Sequence, residues 1–406
     1  MNRILAKGNT ILLLGSGGVG KTTVASALGV AAASKGLATA LITVDPSVRL
    51  RDALGIEQLG GTPVRIDRKR LRTAGLDESL QLSAMVLDSK GAWDNLVDRF
   101  AKDPATRARL LENPFYRSLT EQFAGSESYA ALQELYDLHS SGKFGIEIVD
   151  TPPASHAFDF ILAPARLTRL LDSRAARMLF APYASASHFA MKVAGNTARF
   201  IVSELERFAG ANVLTSIGDF FAAVADSIDS VISRFKKTET LLHAPSVHFV
   251  MVTTGEEDRL RQARELVREM ARERLRLSAI VINRFLDEES WREMRGGSGG
   301  MPPHLDDIER LHHCPQLDGH PRQASIASFL HEYADQTKRE IERVTEFARD
   351  LPPHVRLIAA PEMRIGGDHL RAVARLALYL TSETRFPDFA FKEIGDHDQA
   401  RLSMPE

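Results

Sequence analysis

Six short apolar runs punctuate the chain: Thr10–Leu14, Ala38–Val44, Gly145–Asp150, Val247–Val252, Ser278–Ile282 and Val355–Ala359. Each is close to continuously hydrophobic rather than alternating. That pattern predicts strands covered on both faces, as in a parallel sheet. Three-and-four spacing of apolar residues separates the runs, as over Glu256–Glu273 and Pro321–Arg349. The alternation of the two periods predicts an α/β fold with a doubly wound, mostly parallel sheet.

Two intervals break this rhythm. Helical patterning without a clear strand runs from about Gly91 to Ser141, and again from about Ala157 to Leu242. So long a strand-free stretch in an α/β chain predicts a helical insertion. The expected division is a core of residues 1–90, 141–156 and 243–385, an insertion subdomain of 91–140 and 157–242, and a flexible tail of 386–406. Within the insertion, Phe221, Val224, Ala225, Ile228, Val231, Ile232 and Phe235 share one helical face. Asp226, Asp229, Ser233 and Arg234 are expected on the opposite face. Met178–Tyr183 and Phe189–Ala194 are further apolar segments there. Such faces serve either as the subdomain's own core or as a groove for a hydrophobic partner. Residues 295–303, rich in glycine, read as a loop.

Composition narrows the class. A formal net charge of -2 gives no bulk electrostatic case for nucleic acid, and no basic patch stands out. The single cysteine, Cys314, excludes an internal disulfide framework and suits the cytoplasm. The first residues, Met1 to Gly8, lack the long apolar region of a signal peptide. No uncharged apolar run reaches the ~18 residues of a spanning helix. His304, His312, His313 and His320 lie near Cys314 without ordered ligand spacing, so no structural metal is expected.

The chemistry concentrates in Gly15-Ser16-Gly17-Gly18-Val19-Gly20-Lys21-Thr22-Thr23. An apolar run precedes it and an Ala-rich helical pattern follows, the strand–loop–helix context of a phosphate-binding loop. Glycines let backbone N–H groups turn inward around an anion, and the helix adds the positive end of its dipole. Lys21 is expected at the β- and γ-phosphates and the Thr22 hydroxyl on Mg²⁺. The run ending in Asp150 fits an acid that holds Mg²⁺ directly or through water. Asp45, ending another run, is either a turn or N-cap residue or a carboxylate that orients the attacking water.

The glycine loop, Asp45-Pro46 and Asp150-Thr151-Pro152-Pro153 together resemble the arsenite-pump and tail-anchored-protein-targeting ATPases, a deviant Walker A class of P-loop ATPases. Leu50-Arg51-Asp52-Ala53-Leu54-Gly55 and Asn283 at the end of a strand extend the likeness, which spans about residues 8 to 382 and is nearest the bacterial "anion-transporting ATPase" branch. The resemblance implies a P-loop NTPase fold, ATP and Mg²⁺ as cofactors, and ATP hydrolysis. It implies that Asp45 activates water, that Asp150 is the Walker B acid, and that Thr151 to His156 form a switch. It also implies that Asn283 bonds adenine and that Ala360-Pro361-Glu362-Met363 form the wall beside the base. A dimer, a hydrophobic client or a membrane-protein partner follow from it in the same way.

The chain departs from that family at two points. Ser16 stands where members usually carry a lysine that reaches the partner's nucleotide. A substitute arginine, a slow ATPase, or a hetero-oligomer with a lysine-bearing paralogue would each account for this, and we favour the last. One cysteine also cannot build an arsenite site, which needs several soft thiolates.

Overall fold

The computed structural model describes residues 1–44, 49–56, 59–87, 89–121, 126–152, 161–162, 216, 219–220, 223, 228–285, 321–363 and 368–381. Asp45, Pro153–His156, Met178–Tyr183, Phe189–Ala194, residues 295–303, His304, His312, His313, Cys314, His320 and the tail 386–406 lie outside the described residues.

The chain opens with β1 (Asn9–Leu14), α1 (Lys21–Ser34), β2 (Thr39–Thr43), α2 (Arg49–Leu54), β3 (Val64–Arg65), α3 (Arg68–Thr73) and β4 (Leu82–Val86). Four helices follow: α4 (Ser89–Phe100), α5 (Pro104–Glu112), α6 (Pro114–Glu121) and α7 (Ser126–Ser141). The described part then continues through β5 (Ile146–Asp150), α8 (Ile228–Leu242), β6 (Val247–Thr253), α9 (Glu257–Arg272) and β7 (Leu277–Ile282). It closes with α10 (Pro321–Arg349), β8 (Arg356–Ala359) and α11 (His369–Thr381).

The eight strands form one sheet in the order β3-β4-β2-β5-β1-β6-β7-β8. Every neighbouring pair is parallel except β3–β4. All six expected strands are present, shifted by at most a residue or two at their ends. Sequence patterning missed β3 and β4. β3 is two exposed residues, and β4 is interrupted by the partly buried Ser83, so neither offers a period long enough to read.

Apolar layers cover both faces of the sheet. On one, Ile11, Leu13, Leu41, Ile148, Val250 and Val281 meet α1, α2, α3 and α11. On the other, Leu12, Leu14, Val149, Phe249, Met251 and Ile282 meet α7, α9 and α10. α1 is buried nearly all round, because the sheet lies under it and α11 over it. That environment explains its Ala-rich, charge-poor sequence after Lys21. α9 shows the opposite case: Leu260, Ala263, Leu266 and Met270 make a single buried stripe on an otherwise charged helix.

The helical region begins with capped elements. Asp103 accepts the Thr106 N–H at 2.7 Å, with Pro104 in the first turn of α5. Contacts join the two strand-free intervals: Asn113 Nδ2 donates to Ser216 O at 2.8 Å, and the Phe115 and Phe220 rings meet edge to face at 5.4 Å. Ile232 and Phe235 of α8 are buried, and Gln133 Nε2 of α7 donates to Thr238 Oγ1 at 2.5 Å. Arg234 departs from the expected polar face. It ion-pairs with Asp137, and its guanidinium lies 5.5 Å from the Tyr136 ring centre, because α7 packs along that side of α8.

Candidate functional site

The turn from β1 into α1 is held from inside by its own lysine. Lys21 Nζ donates to Gly15 O at 3.0 Å and to Ser16 O at 3.3 Å, with the side chain only 8% exposed overall. Both bonds curl the backbone around the ammonium. Gly20, at φ 92°, is the N-cap of α1 in the left-handed region, a conformation that disfavours any residue with a Cβ. A Cβ on Gly15 would stand 2.2 Å from Val252 O, so the loop lies directly on the end of β6.

Thr22 and Asp150 meet at the mouth of this loop. The Thr22 hydroxyl donates to Asp150 Oδ2 at 2.5 Å. Their meeting follows from the sheet: β1 pairs with β5 in a register that sets Leu13 opposite Asp150, so Asp150 ends its strand beside the loop. Thr151 Oγ1 donates to Leu13 O at 2.5 Å and anchors the next residue to the same strand. Val44 N–H donates to Asp150 O at 3.2 Å, which ties the end of β2 to the end of β5. A hydroxyl and a carboxylate oxygen beside a lysine and a helix N-terminus would suit Mg²⁺, a hard cation that favours oxygen, together with a phosphate anion. No cluster of three or more histidine, cysteine or acidic side chains able to hold a metal occurs among the described residues.

Asn283 and Pro361 close the other flank. Asn283 is buried, with its N–H on Thr253 O at 2.7 Å and its Nδ2 donating to Val19 O at 2.8 Å. The side chain thus braces the phosphate loop from β7. Pro361, also buried, leaves β8 alongside it, where Ala360 N–H bonds Ile282 O at 2.8 Å. The structure brings Gly15 to Thr23, Asp150, Asn283 and Pro361 to the C-terminal ends of β1, β5, β7 and β8, the side on which open α/β sheets bind ligands.

Sequence reading missed a second group at this end of the sheet. The Gly255 N–H bonds the Glu340 carboxylate, and Arg343 Nε donates to Gly255 O at 3.2 Å, so α10 holds the two peptide groups that flank the Gly255 Cα. Burial pushes the Glu340 carboxyl up to about 7, Glu256 and Glu362 add to the rise, and Arg343 opposes it. Thr254 Oγ1 is buried with no partner among the described residues. The readable signal for Glu340 was its place on the stripe Thr337, Ile341, Val344, Phe347 of α10, where an apolar residue is expected.

Comparison with known proteins agrees with this geometry. The profile of the family described as anion-transporting ATPase matches residues 9–296. The chain is 31% identical over 158 residues to an ATPase ASNA1 homolog from Paramecium tetraurelia, 38% of this chain and 43% of that protein. It is 25% identical over 279 residues to the ATPase get3 of Aspergillus terreus, 68% of this chain and 73% of the relative. It is 32% identical over 162 residues to the ATPase ARSA1 of Chlamydomonas reinhardtii, 40% of this chain and 18% of that protein. The matches thus span less than half the length of the Paramecium and Chlamydomonas relatives.

Proposed function

The chain belongs to the anion-transporting ATPase family, a group of ATP-binding ATPases of P-loop fold, and from that premise we propose that it is a dimeric, Mg-ATP-driven switch. The observation that carries the reading is the Thr22–Asp150 hydrogen bond at 2.5 Å beside the curled Lys21. Lys21 holds the β- and γ-phosphates, assisted by the amides of Gly15 to Thr23. Thr22 and Asp150 would hold Mg²⁺, directly or through water, and the ion would supply charge to screen the phosphates. Asp45 orients the attacking water. Asn283 and Pro361 form the adenine end of the site, Asn283 while still bracing Val19.

The helical residues 91–140 and 157–242 are the subdomain that engages a hydrophobic client or a membrane-protein partner. Among the described residues no helix is long and apolar enough to cross a membrane. This reading puts the protein in the cytoplasm and gives it no nucleic-acid partner. The energising subunit of an anion transporter is the second reading, and the family's description favours it. A single cysteine argues against arsenite as that anion.

Ser16 decides the oligomer. A serine supplies no cation to a partner's phosphates, and cationic contacts to the transferred group are worth orders of magnitude in rate. We expect a slow homodimer, and a faster hetero-oligomer with a paralogue carrying lysine at the corresponding position. The test is steady-state ATP hydrolysis with mass determination for the wild type, Ser16→Lys and the mixed pair. Fast turnover by the wild type alone, unchanged by Ser16→Lys or by the paralogue, would refute the hetero-oligomer.

A further inference from the structure

A cavity of about 510 Å³ lies at the opposite edge of the sheet, between β3, α3 and the residues that follow α2. In strand order, β4, β2 and β5 separate β3 from β1, so this space is distinct from the phosphate loop. Its size falls within the roughly 300–1,000 Å³ of small-molecule sites. Three cationic side chains line it, Arg65, Lys69 and Arg70, against one carboxylate, Asp67. The run Arg68-Lys69-Arg70-Leu71-Arg72 supplies much of this wall, although Arg70 pairs with Asp368 and Arg72 with Glu78.

The charges in the wall have different duties. Asp67 accepts the Lys69 N–H at 3.0 Å and so caps α3. Arg70 is matched by Asp368 through bonds of 3.2 and 2.8 Å, and its Nε reaches Leu54 O at 3.4 Å. This three-way tie makes a fixed wall, and Gly55 is part of it: at φ 66°, a Cβ there would meet Arg70 Nε at 2.4 Å. Among the described residues Arg65 donates to the carbonyls of Ser79 and Leu80, at 3.4 and 3.2 Å, neutral acceptors that do not cancel its charge. Lys69 is exposed at the rim. Ile56, Val64 and Ile66 supply the apolar surface.

We infer that this cavity binds a small organic anion. Arg65 and Lys69 hold its carboxylate or phosphoryl group, and its apolar part lies against Ile56, Val64 and Ile66. A guanidinium fork and an ammonium beside apolar side chains favour such a ligand over a neutral one of the same shape. The inference does not depend on the ATPase reading.

The test is ¹⁹F NMR line broadening of 4-(trifluoromethyl)benzoate by the full chain. The neutral 4-(trifluoromethyl)benzamide is the control. Wild type and Lys21→Ala are expected to broaden the benzoate equally, with the benzamide at least tenfold weaker. Arg65→Gln combined with Lys69→Gln should weaken benzoate binding at least tenfold. Arg65→Gln alone, which also loses the bonds to Ser79 O and Leu80 O, is melted alongside Lys69→Gln alone to separate any loss of stability from loss of charge. Displacement by inorganic phosphate or by acetate supports the site and distinguishes phosphoryl from carboxylate occupants. The inference is overturned if no broadening occurs, if the amide binds as well as the acid, if the double variant binds normally, or if Lys21→Ala abolishes binding.

Discussion

Asn283 occupies the space in which a side chain at position 20 would stand: a Cβ built on Gly20 lies 2.2 Å from Asn283 Nδ2. The contact joins the cap of α1 to the end of β7, residues otherwise distant in sequence. Gly20→Ala should therefore displace Asn283 from Val19 O and strain a left-handed backbone, a conformation costing about 1–2 kcal/mol for a residue with a Cβ. We expect ATP affinity to fall at least tenfold by calorimetry, with a lower melting temperature. Unaltered affinity would mean that the loop has another low-energy shape.

The Thr22–Asp150 contact supplies a metal prediction. Asp150→Asn keeps the shape but removes the anionic charge from the pair. Mg²⁺ dependence should shift to at least tenfold higher concentration, while metal-free nucleotide binding changes little. A magnesium titration of nucleotide fluorescence measures both. An equal loss in metal-free binding would assign Asp150 to loop architecture alone.

Lys21 and Asp45 should divide binding from turnover. Lys21→Ala removes the loop's cation and its two carbonyl bonds, and is expected to abolish detectable ATP binding. Asp45→Asn is expected to retain ATP yet hydrolyse it at least a hundredfold more slowly, because a water-orienting carboxylate acts mainly in the transition state. Single-turnover assays with bound nucleotide separate the two. Loss of binding with normal turnover per bound ATP would make Asp45 structural.

Glu340 links stability to pH. Its carboxyl lies at about 7 in the fold, above its unfolded value of 4.5. A raised carboxyl pKa means that the native state holds the proton more tightly. Its contribution is complete below about pH 4.5 and is lost as pH rises through about 7. Glu340→Gln keeps a neutral group there at every pH. Relative to wild type, it should gain about 1–3 kcal/mol between pH 5 and pH 8, measured by denaturant unfolding. Parallel stability curves for the two proteins would show that Glu340 is ionised throughout.

The sheet and the phosphate loop were legible because both rest on local pattern: buried strands are continuous apolar runs, and the loop is a fixed spacing of glycines before a lysine. What sequence could not convey arises from packing. β4 is a strand because β2 lies beside it, with Leu41 opposite Ala84, rather than because of its own alternation. Arg234 looked like a solvated charge until α7 placed Asp137 against it. Asn283 was found through family likeness, but its bond to Val19 O is a tertiary relation with no sequence signature. Glu340 broke an apolar stripe, and that irregularity was the one local clue to the Gly255 clamp.

The burial of α1 on all sides bears on where the chain can be cut. α11, contributed by residues 369–381, covers α1, and β8, at 356–359, pairs with β7. Both lie beyond residue 296, where the family match ends. A fragment trimmed to the matched segment would present a bare edge at β7 and wet alanines, valines and Leu28 along the phosphate-loop helix. Recognisable ancestry and independent foldability therefore have different limits in this chain, and α11 seals the element that carries Lys21.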